Sequence, residues 1–191
     1  MILNSKSNQF TIWFPKNFFY PEINKRWTPI VRRLKLPYES LEDFFNASIQ
    51  SITMPPIDLV PITQQQGQFP IAYRPGKELE PLFEKTINVT FKLTEGFISY
   101  WLMFEQMEMF LKYMESSPFW PPMYVSFLDL HGFELVVFEF HQITPLSLTQ
   151  FEVSYAQTAA EFNTFSVGLK YNRFKIKRRI DDQMYDVTDQ T

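Results

Sequence analysis

Apolar and polar residues alternate along several short stretches of this chain, and a helical period replaces the alternation in one longer stretch. The alternation is clearest in residues 85–93, where Ile87 and Val89 point to one side and Asn88 and Thr90 to the other. Similar stretches lie at residues 9–14, 47–54, 123–128, 133–141, 148–155 and 164–174, with a shorter one at 68–73. This pattern predicts a mainly β domain built as an antiparallel sandwich or barrel.

The helical stretch is residues 94–116, with Thr94 as its predicted N-cap and a proline after its end. Its apolar residues recur at steps of three and four: Tyr100, Met103, Phe104, Met107, Phe110, Leu111 and Met114. Trp101 and Met109 widen the apolar face, so protein should cover most of the helix. Two interpretations remain open, a thick core within one chain or an additional contact with a neighbouring subunit.

Two long segments lack a regular pattern. Residues 16–41 are predicted to be an insertion with some structure of its own, and its basic run at 32–35 is more typical of a solvated face than of a phosphate site. Residues 55–81 form a second, proline-rich loop. We expect a single domain over residues 1–174, followed by a loose charged tail at 175–191.

Composition narrows the possible functions. The net charge of −3 and pI near 5.5 argue against tight, sequence-independent binding of nucleic acid. Aromatic residues make up 18% of the chain against only 5 glycines, which suits sheets packed through large side chains. There is no cysteine for a disulfide framework or a cysteine-based zinc site, and without a secretory signal the protein is expected to stay in a cytosol.

We found no convincing catalytic arrangement in the sequence. His131 and His141, with Glu134 and Glu139 between them, are one conceivable metal set, but the predicted turn would hold His131 away from the sheet. The sequence contains neither a nucleophile elbow nor a glycine-rich phosphate loop. We therefore expect a protein that is not an enzyme and that has no cofactor.

The order of elements resembles that of a known family. The chain runs as strand, loop, strand ending in Met-Pro-Pro, long loop, strand, helix, hairpin, strand and final strand. The corresponding segments are residues 9–14, 51–55, 86–91, 138–146 and 162–171. This order resembles the tail tube proteins of long-tailed bacteriophages, whose fold is similar to that of the type VI secretion tube protein. Residues 16–41 and the tail after residue 174 are longer than the family's usual pattern, which leaves open a related ring at one end of the tail, either a baseplate tube initiator or a tail terminator or adaptor.

The resemblance implies a structural role. Six copies would form a ring, each giving strands to a continuous inner barrel, and rings would stack into a tube through which double-stranded DNA passes without sequence recognition. The implied partners are further copies and other tail proteins, namely sheath, baseplate or terminator, with no insertion into a membrane. The implied location is the virion, after assembly in the cytoplasm of the host bacterium.

Candidate residues follow from this interpretation. The candidate lumen-facing residues are Asn88, Thr90, Glu139, Glu152, Ser166 and Gly168. The candidate subunit or ring contacts are Pro55, Pro56, Gln64, Tyr73, Arg74, Trp101 and Met109. An ordinary solvent-facing side of a sandwich fits the polar residues equally well. A hypothesis from another class is a monomeric small-molecule-binding β-barrel, in which the aromatic residues would line a cavity.

Overall fold

The structure is a computed structural model that describes residues 9–35, 37–56, 62–66, 69–73, 85–113, 115, 118–129, 131–151, 163–180 and 183–186. Its helices are α1 (Pro21–Arg33), α2 (Leu41–Ala47) and α3 (Ile98–Lys112), the last preceded by a 3-10 turn at Glu95–Phe97. Its strands are β1 (Phe10–Trp13), β2 (Ile49–Thr53), β3 (Ile62–Gln66), β4 (Phe69–Tyr73), β5 (Thr86–Lys92), β6 (Met123–Leu128), β7 (Glu134–His141), β8 (Thr144–Leu148), β9 (Thr164–Lys170), β10 (Arg173–Ile180) and β11 (Gln183–Asp186).

The strands form two larger antiparallel sheets and one separate hairpin. Sheet A has the order β1-β6-β7-β10-β11, sheet B has the order β2-β5-β9-β8, and β3 pairs only with β4. The predicted mainly β, antiparallel fold with a long helix between strands is confirmed. The single final strand predicted at residues 164–174 is wrong, because the chain leaves sheet B after β9 and enters sheet A as β10, with Tyr171 buried at the crossing.

Aromatic rings fill much of the core. The ring of Phe45 lies 4.7 Å from that of Phe91, and the ring of Phe91 lies 5.2 Å from that of Phe165 on sheet B. On its other sides Phe45 meets the rings of Phe14, Phe18 and Phe19 at 5.9, 6.0 and 5.2 Å. These aromatic residues therefore pack against one another, whereas a ligand-binding barrel would arrange them around a cavity.

Helix α3 is shorter than predicted, and its buried face is rotated. The predicted N-cap Thr94 is wrong for α3, whose N-cap is Phe97, because a 3-10 turn comes between them. The Thr94 hydroxyl oxygen still accepts a hydrogen bond from the Ser99 N–H at 3.1 Å. The buried residues are Ile98, Ser99, Leu102, Met103, Gln106 and Phe110. Phe104 and Leu111, which the sequence placed on the apolar face, are 46% and 71% exposed. Gln106 is a core residue because its amide donates to the Phe18 carbonyl oxygen at 2.7 Å and accepts from the Tyr20 N–H at 3.3 Å.

Helix α1 is the largest departure from the predicted secondary structure. It spans Pro21–Arg33 within the segment expected to be irregular, so α3 is not the only long helix. Pro21 is at its start, where a missing N–H costs nothing, and Pro29 lies inside it. Ile23 and Val31 are buried eight residues apart, which is a helical spacing. The three prolines of residues 16–41 hid this period in the sequence.

The region around Pro145 was also predicted wrongly. The predicted strands end at residue 141 and resume at 148, but Pro145 lies within β8 at the edge of sheet B, next to a bulge between Pro145 and Ser147. An edge strand tolerates proline because one side of it has no neighbour that needs the N–H. The strand expected at residues 148–155 is absent over residues 149–151, and residues 152–155 lie outside the described ranges.

Residues 175–180 and 183–186 are strands, although their charges predicted a loose tail. β10 and β11 extend sheet A beyond β7. Lys177 Nζ lies 2.6 Å from a carboxylate oxygen of Glu139 on β7, and Lys175 Nζ lies 3.7 Å from Asp186 on β11. Charged side chains along one side of β10 therefore pair with carboxylates of both neighbouring strands.

Candidate assembly surfaces

Four of the predicted lumen residues lie together on one face of sheet B. Asn88 is opposite Gly168 and Thr90 is opposite Ser166 on the neighbouring strands β5 and β9. The hydroxyl oxygens of Thr90 and Ser166 are 3.0 Å apart, within hydrogen-bond distance. The opposite face of the same strands is the core, where Ile87, Val89, Phe91, Phe165, Val167 and Leu169 are buried.

The polar face extends across all four strands of sheet B. On β2, Thr53 is opposite Asn88 and Ser51 is opposite Thr90, while Ser147 on β8 is opposite Gly168. The strands of sheet B contain no aspartate or glutamate, and their only charged residues, Lys92 and Lys170, are at strand ends. Between these two lysines the surface is uncharged and consists of short hydroxyl and amide side chains.

Gly168 has a steric role in this face. A Cβ atom at this position would lie 2.5 Å from the Ser147 hydroxyl oxygen and 3.3 Å from the Asn88 side-chain oxygen. Because the side chains of Ser147 and Asn88 approach across Gly168, this part of the face is closely packed. A larger residue here would push its neighbours outward.

Glu139 lies apart from these residues. It is on β7 of sheet A, where one carboxylate oxygen contacts Lys177 and the other is 3.5 Å from His141 Nε2. The hydrogen bond from Lys177 to Glu139 raises the pKa of the lysine. Glu139 therefore serves an ion pair in sheet A, and the last predicted lumen residue, Glu152, lies outside the described ranges.

The predicted contact residues fall on separate parts of the molecule. Pro55 is buried and Pro56 is exposed in the segment directly after β2. Gln64 is on β3 and Tyr73 on β4, so both belong to the hairpin that is separate from the two larger sheets. Arg74, the next residue, lies outside the described ranges.

Trp101 and Met109 are both on α3 but differ in exposure. Trp101 is 44% exposed and forms an edge contact with the ring of Phe104, whereas Met109 packs partly buried against the core. Phe104 and Leu111 are exposed on the same side as Trp101, and we call these three residues the α3 crest. The sequence pattern does not identify Phe104 and Leu111 as surface residues, because every turn of α3 carries apolar side chains.

The described residues contain neither a cluster of metal-ligating side chains nor a helix that could cross a membrane. His131 is exposed in the turn before β7, far along the strand from His141. No group of three metal-ligating side chains occurs within the described ranges. Of the helices described, none has the length and apolarity required to cross a bilayer.

Comparisons with known proteins find likeness in structure only. No protein family profile and no curated protein matches the sequence. A chain in the cryo-EM structure of the anti-feeding prophage cap, described as the tube-terminating cap, is similar with a TM-score of 0.53 and 12% identity, over 94% of each chain. A chain in the six-fold symmetrised baseplate of the same prophage has a TM-score of 0.52 and 10% identity, over 92% of this chain and 97% of its own.

This chain shares the fold of the similar chains in the cap and baseplate structures. The resemblance predicted from the order of strands is thereby confirmed at the level of the fold. A crystal structure of an Hcp protein is also similar, with a TM-score of 0.40 and 10% identity, over 72% of this chain and 75% of its own. The likeness to the cap structure covers so much of this chain that it includes more than half of residues 16–41.

Proposed function

We propose that this protein is a non-enzymatic structural subunit of a phage-like tail, assembling as a hexameric ring in which sheet B forms the wall of a channel for double-stranded DNA. The observation that carries the proposal is the uncharged polar face of sheet B, around Asn88, Thr90, Ser166 and Gly168, in a chain with a tail-tube fold. The hexameric ring, its channel and the DNA within it are inferred from the polar face of sheet B and from the fold.

The side chains on the polar face of sheet B suit the passage of DNA better than tight binding of DNA. Proteins hold DNA mainly through lysine and arginine on its phosphates. The described part of this face offers only Lys92 and Lys170, at opposite ends of the strands, and it presents neutral Asn, Ser and Thr side chains between them. A polyanion sliding past such a wall meets few strong attachment points.

The strand order also suits ring closure. β2 and β8 are the two edges of sheet B, and each leaves a row of backbone groups without a strand partner among the described residues. Such edges favour pairing with another chain. If β8 of one copy pairs with β2 of the next, a closed ring of six copies removes both edges of sheet B and produces one continuous barrel.

The remaining predicted contacts are assigned to stacking between rings. The β3-β4 hairpin, with Gln64 and Tyr73, belongs to neither sheet and is joined to β2 through Pro55 and Pro56. We propose that this hairpin and Arg74 reach a neighbouring ring.

Replacing residues 64–74 with a short Gly-Ser linker tests this assignment. The shortened protein should still form rings, because β2, β5, β8 and β9 are unchanged, but the rings should no longer stack. Negative-stain electron microscopy distinguishes single rings from tubes, and circular dichroism verifies folding. Long tubes formed by the folded, shortened protein would rule out a stacking role for the hairpin.

A ring at one end of the tail is the second candidate function. It is favoured because the two chains that are similar over more than 90% of this chain come from structures described as a tube-terminating cap and a baseplate. The first likeness includes most of the segment 16–41, which contains α1. In this version the ring meets the main tube on one side and a baseplate or terminator protein on the other, within the assembled particle.

The proposed function is tested by measuring mass against concentration. Light scattering of the full-length protein should show a step from monomer to hexamer, and microscopy should show rings with a central channel. Assembly should change little with salt, since apolar and backbone contacts are weakly screened. A main tube subunit should continue into long tubes, whereas an end ring should stop at one ring. A monomer at every concentration would overturn both versions.

A further inference from the structure

Helix α1 presents a row of cations to solvent. Lys25, Arg26, Arg32 and Arg33 are exposed, at the spacing that places them on one side of the helix. Arg26 is paired with Glu105 at 3.1 Å, while Lys25, Arg32 and Arg33 have no ion pair within the described part of the chain. The whole chain has a net charge of −3, so this row is a local exception to its charge.

The cationic row lies beside the α3 crest. α1 is fixed to α3 through Glu105, which accepts a hydrogen bond from Trp27 Nε1 at 2.9 Å in addition to the Arg26 ion pair. One turn before Glu105 on α3 is Trp101, and Phe104 is its direct neighbour in sequence. Ile30 on α1 is 37% exposed and adds a further apolar side chain to this surface. Cations and large apolar residues therefore form one continuous face on two helices.

We infer that this α1-α3 face docks a different protein, through a segment that carries both carboxylates and apolar side chains. Trp101, Phe104 and Leu111 are 44 to 71% exposed. Exposing such large apolar side chains to water is unfavourable, and an exposed apolar patch marks a surface that a partner covers. Lys25, Arg32 and Arg33 are adjacent and have no ion pair within the described residues, so the partner segment should be negatively charged. Duplex DNA fits less well, because its phosphates would gain nothing from the crest. Glu108 is exposed among the crest residues of α3, so the carboxylates of the partner segment must lie over the cations of α1. Anionic lipid fits less well, because a flat membrane surface would cover Glu108 together with the cations.

A second copy of the chain is a poorer partner than an acidic protein. A self-complementary contact through this face would bring the cations of both copies into one interface. Contact with another face would need free carboxylates, and most described ones are engaged within the chain. The engaged ones are Glu22 with Tyr113, Glu42 with Asn24, Asp43 in the cap of α2, Glu105 with Arg26, Glu134 with Ser126, Glu139 with Lys177 and Asp186 with Lys175. The face is also distinct from the edges β2 and β8, so it stays available in the proposed ring.

The inference is tested with defined peptides and the full-length protein. The probes are fluorescent amphipathic helices with leucine on one face and glutamate, glutamine or lysine on the other. The glutamate peptide should bind about tenfold more tightly than the glutamine peptide, and its binding should weaken at high salt. The lysine peptide should bind weakest. Fluorescence anisotropy measures all three.

Variants locate the contact. Arg32→Glu with Arg33→Glu should abolish the preference for the glutamate peptide, and Trp101→Ala should weaken binding of both the glutamate and glutamine peptides. Lys170→Glu is the matched control, because it reverses an exposed lysine on sheet B and should leave binding unchanged. Circular dichroism verifies that each variant is folded.

Three results would overturn the inference. The first is equal binding of the glutamate and glutamine peptides, and the second is tighter binding to phosphatidylserine vesicles or duplex DNA than to the glutamate peptide. The third is a change in oligomeric mass when Arg32 and Arg33 are reversed, which would identify the partner as a second copy. The first two leave the ring proposal untouched, because ring formation is measured separately by mass.

Discussion

Replacing Phe45 with alanine should lower the free energy of unfolding by about 3–5 kcal/mol, the range for deleting a fully buried aromatic side chain. Phe45 has no exposed surface and contacts the rings of Phe14, Phe18, Phe19 and Phe91. It connects the helical segment to sheet B, so the cavity would lie between elements that are far apart in sequence. A domain with a total stability of about 5–15 kcal/mol would lose a large part of it.

Phe104→Ala is the matched control, because it removes the same side chain from the 46%-exposed crest of α3. Its expected cost is below about 1 kcal/mol, typical of a surface substitution with few packed neighbours. Urea unfolding followed by circular dichroism measures both variants at a concentration where the protein is monomeric. Equal losses for the two variants would show that the crest is part of the core, contrary to its exposure.

Most strands could be predicted from the sequence, because a sheet with one buried face requires apolar and polar residues to alternate along each strand. The segment Thr86–Lys92 is the clearest case, since Ile87, Val89 and Phe91 are buried and Asn88 lies on the other side. The same alternation correctly grouped Asn88 and Thr90 with Ser166 and Gly168, because antiparallel neighbours with matching patterns share their faces.

The sequence could not predict which side of α3 faces the core. Apolar residues occur around nearly its whole circumference, and the buried face includes Ser99 and Gln106, which are polar. Gln106 is buried because it satisfies backbone groups of residues 18 and 20, and those lie more than 80 positions away in the chain. Long-range hydrogen bonds of this kind leave no local pattern.

The positions of Glu139 and of residues 175–180 could not be predicted from the sequence for a related reason. Both depended on knowing that β10 joins sheet A beside β7 after leaving sheet B. A charged strand such as Arg173–Ile180 has an alternating pattern, but its lysines and arginines suggest solvent unless the carboxylates that pair with them are known. The partner Glu139 is 38 residues away from Lys177.

Leu146→Lys should abolish ring assembly while leaving the single subunit folded. Leu146 is on β8, the edge strand of sheet B that we propose pairs with β2 of the next copy, and it is 54% exposed in the isolated subunit. Its replacement should change monomer stability by no more than about 0.5 kcal/mol. An edge lysine opposes strand pairing between chains, because pairing would desolvate its charge. In a ring this penalty is repeated at all subunit boundaries.

Leu111→Lys supplies the comparison for this prediction. It makes the same substitution at a side chain that is even more exposed, at 71%, but on the α3 crest away from the strand edges. Rings should form normally, since the crest is assigned to a different partner. Light scattering over a concentration series, with microscopy of the same samples, measures assembly of both variants. Normal rings from Leu146→Lys would rule out β8 as the ring contact, and loss of rings from Leu111→Lys alone would transfer that role to the crest. Comparing the two variants therefore distinguishes a ring closed through the strand edges of sheet B from a ring that associates through the helices.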